Sequence, residues 1–263
     1  MISTPRTHCH GKFLQIADTD LSPVEHRDVL WIDIDDTLAC QLDMPVATYQ
    51  NQSLLHLMIV FAQGQGRSES EAKHRIDHII SHKPWWHWTD FLIALELDAC
   101  AFWEWAYEIE STYFKPADPN LHDIISQLHQ HGYQMFITSN NPSTGILHKL
   151  RLVGLADIWG SRFFLQYFSP CDLHHMKSEP AYWLSTLAHS GLNPNRIITI
   201  GDSWRDDVFS AAQAGLSASI WLNSAGASND APTNMPVDSH VWQVSHWQEI
   251  LSLLTTKVLY SSA

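Results

Sequence analysis

From residue 119 onward the chain alternates between two hydrophobic periods. "NLHDIISQLHQHG" has helical spacing and stops at Gly132. "YQMFITS" is a short apolar run of strand length. The pattern then repeats: helix "NPSTGILHKLRLVG", with Asn141 and Pro142 as an N-cap and first-turn pair; strand "RFFLQYF"; helix "SEPAYWLSTLAHSG"; strand "RIITI"; helix "DDVFSAAQAG"; strand "SASIWL". After a polar loop, 223–239, come "HVWQV" and a last helix from Ser245. Strands alternate with helices of a length that suits parallel crossover units. They predict an α/β fold, a doubly wound parallel sheet.

Val29 to Ile32, "VLWI", reads as one more buried strand of that sheet, far upstream. The intervening block is helical throughout. "ATYQNQSLLHLMIVFAQ" has helical spacing, and "SESEAKHRIDHIISH" opens with Ser68 and Glu71 at capping-box distance. "TDFLIALELDACAFWEWAYEIESTYF" reads as one long amphipathic helix capped by Thr89. The expected organisation is a loose lead-in at 1–27, an α/β core made of 28–40 and 116–263, and an inserted all-helical domain at 41–115.

Composition narrows the functional classes. Apolar residues are 45% of the chain and charged residues 16%, a globular balance. The net charge of −13 argues against a nucleic-acid binder, which needs a basic face. No apolar run is long enough to span a bilayer, and the first residues lack the apolar stretch of a signal peptide. Cys9, Cys40, Cys100 and Cys171 are scattered, as expected of a reduced cytoplasmic protein. Oligomeric state is not encoded in any such pattern.

In a doubly wound sheet, ligands bind beyond the carboxyl ends of the strands. Polar groups stand at four of these ends: Asp33 and Asp35 after "VLWI", Thr138, Ser139 and Asn140 after "YQMFI", Lys177 after "RFFLQYF", and Asp202, Asp206 and Asp207 after "RIITI". Residues i and i+2 of an extended segment share a side, so Asp33 and Asp35 are expected to face one site, with Asp36 turned elsewhere. With Asp202 nearby, three carboxylates would converge, and a hard divalent cation, Mg²⁺ best of all, would relieve their repulsion. A lysine and a small hydroxyl at the same edge suit a phosphate dianion.

"DIDDT" (33–37), "ITSN" (137–140), "KSEP" (177–180) and "GDSWRDD" (201–207), in this order, resemble the four motifs of the haloacid dehalogenase (HAD) superfamily. The resemblance spans roughly residues 29–255. It implies a Rossmann-like core with a helical cap inserted after the first motif. It implies roles as well. Asp33 is the nucleophile that becomes an aspartyl phosphate. Asp35 is the general acid and base, and lends its backbone carbonyl to Mg²⁺. Ser139, or Thr138 in another register, together with Asn140 meets the phosphate. Lys177 neutralises charge between phosphate and Asp33. Asp202 ligates the metal alongside Asp33. Asp207, or Asp206 at a shorter spacing, supports the metal site from behind. An acid two residues after the nucleophile suits an alkoxide leaving group and is not needed for dehalogenation. The expected activity is therefore a Mg²⁺-dependent phosphatase acting on a small phosphorylated metabolite. The alternatives are a phosphomutase of the same superfamily and a non-catalytic binding protein on the same fold. "KSEP" departs from the commoner "KPxP" but keeps the lysine.

Overall fold

A computed structural model of the chain describes residues 29–41, 54–83, 88–216, 218–223 and 240–258. The lead-in at 1–27 and the tryptophans Trp85 and Trp86 lie outside the described residues.

Six strands make one parallel sheet: β1 (Val29–Ile32), β4 (Gln134–Thr138), β5 (Phe164–Phe168), β6 (Ile197–Gly201), β7 (Ala218–Leu222) and β8 (His240–Val244). Their spatial order is β5-β4-β1-β6-β7-β8. The chain runs outward from β1 through β4 to β5, then returns across β1 to begin β6. The topological switch point therefore lies at the carboxyl end of β1, between β4 and β6, where a ligand crevice forms.

Alternation along β1 serves two cores. Val29 and Trp31 pack with Phe136, Phe168, Tyr182 and Trp183 on one face, and Trp31 stacks on Trp183 with ring centroids 6.1 Å apart. Leu30 and Ile32 pack on the other face with Ile124, Ile137, Ile200 and Ile250. Burial on both faces explains why β1 reads as an unbroken apolar run. The next residue in phase with Trp31 is Asp33, which emerges on the face where Tyr182 and Trp183 lie.

Flanking helices are α5 (Leu121–Gln130), α6 (Ser143–Leu152), a short α7 (Pro170–Leu173), α8 (Pro180–Ser190), α9 (Ser210–Gln213) and the C-terminal α10 (Trp247–Val258). The helix expected over 206–215 begins instead as a wide turn, Trp204–Phe209, which α9 continues. Asn141 does not cap α6. Pro142 takes the cap position, and the Asn141 side chain is used elsewhere.

The insertion is bracketed by a two-stranded antiparallel ribbon, β2 (Ala39–Gln41) and β3 (Phe114–Pro116). The helical reading missed this pair, whose strands are three residues each and 72 residues apart. Between them lie α1 (Leu54–Gly64), α2 (Glu69–His82), α3 (Trp88–Ala94) and α4 (Ala99–Glu110), packed around a core of their own that includes Met58, Ile76, Phe91 and Phe102. Ser68 caps α2 as its spacing predicts, accepting the Glu71 N–H at 3.2 Å. The single long helix is a correction: it is α3 and α4, and Thr89 lies inside α3. Glu96 takes a left-handed φ of 52°, and the Asp98 carboxylate caps α4 through the Ala101 N–H at 2.8 Å. No glycine or proline marks that break, so the periodicity ran through it.

Candidate active site

Asp33 is fixed by continuation of the sheet, its N–H donating to Ile200 O at 2.9 Å. The chain then folds into a tight turn in which the N–H groups of Thr37, Leu38 and Ala39 all point to Ile34 O. Asp36 occupies the left-handed position, φ 54°, and is exposed, as expected from its phase. Trp247 of α10 donates its indole N–H to Thr37 O at 2.7 Å and pins the turn from beneath.

Lys177 comes from the loop between α7 and α8. Its N–H is held by Asn140 Oδ1 at 2.9 Å, and its carbonyl accepts the Trp183 indole N–H at 3.0 Å. The side chain is 2% exposed, with Nζ 2.5 Å from both Asp33 Oδ1 and Asp207 Oδ1. Asp207 is buried and accepts the Ser203 N–H at 3.1 Å. The wide turn brings it in, and Gly201 makes room: a Cβ there would coincide with the Asp207 carboxylate. Asp202 follows β6, and its carbonyl is held by the Trp221 indole at 2.8 Å.

Oxygens of Asp33, Asp202 and Asp207 lie within 4.8 Å of one another, the one such group of potential metal ligands among the described residues. Three carboxylates face a single ammonium, so two negative charges are uncompensated when all three are ionised. Burial, reinforced by Asp33 and Asp36, pushes the Asp202 carboxyl up to about 7. Burial raises Asp33 too, against the pull of Lys177, and raises Asp207 strongly. Lys177 is moved the other way from what burial alone would do: Asp207 and Asp33 hold it protonated. An oxygen-only donor set short of positive charge fits a hard cation.

The converging carboxylates differ from the expected set in one member. Asp207 takes the place expected for Asp35, whose side chain is not part of the converging group. Asp35 is instead bound by Lys149, which the sequence reading passed over, and by Asn141, which it read only as a helix cap. Lys149 Nζ lies 2.5 Å from Asp35 Oδ1, and the Asn141 side-chain amide donates to Asp35 Oδ2. A signal for Lys149 was present: it falls on the apolar stripe of α6 with Ile146 and Leu150, a core position for a charged residue.

The β4 end is brought to the same edge. Ser139 is fully buried, and its Oγ accepts from the Asn141 N–H and side-chain amide at 3.1 and 2.9 Å. The Thr138 hydroxyl is buried without a partner among the described residues. Asn140 is committed at both ends, to Lys177 N–H and, through its amide, to Asp206 Oδ2 at 3.1 Å. Asp206 thus braces the β4 loop while Asp207 faces Lys177.

The model of the haloacid dehalogenase-like hydrolases matches residues 28–215, which include all four strand ends. The chain belongs to this family. No described helix is long and apolar enough to cross a membrane. Among solved structures, a HAD phosphatase from Thermococcus onnurineus is 23% identical, with 86% of this chain and 97% of that one aligned and a TM-score of 0.60. A 2-haloacid dehalogenase from Pseudomonas syringae pv. tomato DC3000 is 19% identical, covers 88% and 99%, and has a TM-score of 0.60. A Thermotoga maritima protein named, by inference, a β-phosphoglucomutase is 17% identical, covers 87% and 99%, and has a TM-score of 0.53. At these identities the likeness is one of fold. A search of curated protein sequences found no match. The family makes the chain an HAD-like hydrolase with a small-molecule substrate, and its members typically use a metal ion.

Proposed function

We propose that the chain is a Mg²⁺-dependent phosphomonoesterase that acts on a small phosphorylated metabolite through an aspartyl phosphate on Asp33. The observation that carries this reading is Asp35: a carboxyl two residues from the nucleophile, outside the acidic cluster, and 42% exposed. Dehalogenation expels a halide and needs no such proton donor. Expulsion of an alkoxide does.

In the first step an Asp33 oxygen attacks phosphorus, the P–O bond to the substrate breaks, and Asp35 gives its proton to the departing oxygen. In the second, Asp35 takes a proton from water as that water attacks phosphorus, and the Asp33–P bond breaks to release phosphate. Lys177 keeps one Asp33 oxygen engaged and offsets phosphoryl charge. Ser139 supplies a hydroxyl to the phosphate, with Thr138 beneath it. Asn140 and Asp206 order the loop that carries Lys177. Asp33, Asp202 and the Asp35 carbonyl, backed by Asp207, would hold the cation, which when bound neutralises the carboxylates and draws charge from the phosphoryl oxygens. The helical insertion is read as a cap over this edge, which favours small substrates. The scattered cysteines support a reducing compartment such as the cytoplasm.

The test is phosphate release from a panel of phosphomonoesters, with halide release from 2-haloacids in parallel, with and without Mg²⁺, for wild type and Asp33→Asn. Metal-dependent phosphate release lost in Asp33→Asn supports the reading. Halide release without phosphate release would replace it.

A further inference from the structure

Lys149 has no place in the four motifs, yet it is the most buried charged residue outside them among the described residues. It rises from α6 at 6% exposure, with Nζ 2.5 Å from Asp35 Oδ1, 3.3 Å from Asn141 Oδ1 and 4.7 Å from the centre of the Phe114 ring. Burial opposes its charge, but Asp35, Glu110 and Asp33 outweigh that and keep it an ammonium. Glu110, the last residue of α4, is itself buried with one oxygen unpartnered.

Asn141 completes the arrangement. Its backbone carbonyl accepts Ser169 Oγ at 2.8 Å, and its side-chain amide is shared between Asp35 and Ser139. These bonds fix which way the amide faces, with nitrogen toward Asp35 and oxygen toward Lys149. Each Asp35 oxygen therefore meets a different donor, one cationic and one neutral, and the proton given to the leaving oxygen is carried on Oδ2, the oxygen that does not face the ammonium. A carboxylate on an exposed turn would otherwise sample several rotamers.

We propose that Lys149 is a positioning residue that, with Asn141, holds the Asp35 carboxyl where the leaving oxygen of a phosphomonoester departs; this rests on the phosphatase reading above. The Phe114 contact and the charge of Glu110 place it where the inserted helices rejoin the core, so the grip on Asp35 is built at that junction. Misplacing a proton donor by about 1 Å can cost on the order of 10²-fold in rate. That cost falls on leaving groups that need a proton and spares those that do not.

The experiment compares kcat/KM for an alkyl phosphate and for p-nitrophenyl phosphate in wild type, Lys149→Met, Lys149→Arg and Asn141→Ala, with each variant's fold checked by circular dichroism. Lys149→Met is expected to lose roughly 10²-fold on the alkyl ester and less than about 10-fold on the aryl ester, the size expected when general-acid catalysis is impaired. Lys149→Arg, which keeps a cation, narrows that gap. Asn141→Ala, which leaves the Lys149–Asp35 ion pair intact, gives a gap of the same sense even if Lys149→Met does not fold. Equal losses on both esters, or none, overturn the assignment of Lys149 while leaving the phosphatase reading standing. No release by wild type from either ester overturns both.

Discussion

Replacing Lys177 with methionine keeps most of the side chain's volume and removes the ammonium that two buried carboxylates share. Lys177 and Asp207 are each 2% exposed and Asp33 is 8% exposed, so water cannot take over. Breaking a buried ion pair by removing one partner costs about 3–5 kcal/mol. For a chain of this size that is a fall in melting temperature of roughly 6–20 °C. The loss carries a pH signature of known sign. Burial already raises Asp33 and Asp207, and without Lys177 both rise further. As pH falls from 8 to 5, the folded carboxyls take up protons while the unfolded ones, near pH 4, are still ionised. The deficit of the variant therefore shrinks toward acid pH. Adding Asp207→Asn to Lys177→Met should recover part of the loss at pH 8, since one unpaired charge is then gone. Urea denaturation of the four proteins of this cycle at pH 8 and pH 5 measures all of it. A Lys177→Met variant as stable as wild type at pH 8, or a deficit independent of pH, would refute the electrostatic account of the cluster.

Gly201→Ala drives a methyl into the space of the Asp207 carboxylate. The expected cost is about 1–3 kcal/mol in urea denaturation, together with weaker divalent-cation binding by calorimetry, because Asp207 must swing off Lys177. His148 stacks on Tyr107 at 4.2 Å with Nε2 buried and unpartnered, and burial pushes it down to about 4. Its contribution is fully present above pH 6.5 and is lost as pH falls toward 4, on the order of 1 kcal/mol for a half-exposed ring. His148→Asn should abolish that part of the acid slope in stability measured from pH 7 to 4.

What could be read from the chain alone divides along sequence distance. The strands were legible because both faces of β1, β4 and β6 are covered, so each is an apolar run ended by a polar residue. Strand ends then located Asp33, Lys177, Asp202 and Asp207 without any contact being known, since a parallel sheet delivers those ends to one edge. The grip on Asp35 was not legible. Lys149 is 114 residues from Asp35 and Asn141 is 106, and nothing local pairs them. Asn141 misled for a physical reason, since asparagine before proline is a good helix cap and its side chain found a better acceptor in a carboxylate. The tandem Asp206–Asp207 divides at the wide turn after Ser203, which sends one side chain to Asn140 and its neighbour to Lys177.

The central claim is a covalent bond between Asp33 and phosphorus. Mixing the protein with a hydrolysable phosphomonoester and Mg²⁺, quenching in acid and reducing with borohydride converts an aspartyl phosphate to homoserine. Mass spectrometry of the peptide containing residue 33 then reads it directly. The account predicts homoserine at position 33 and at no other aspartate, and none without Mg²⁺ or substrate. Phosphate release with residue 33 unmodified at every quench time would contradict it.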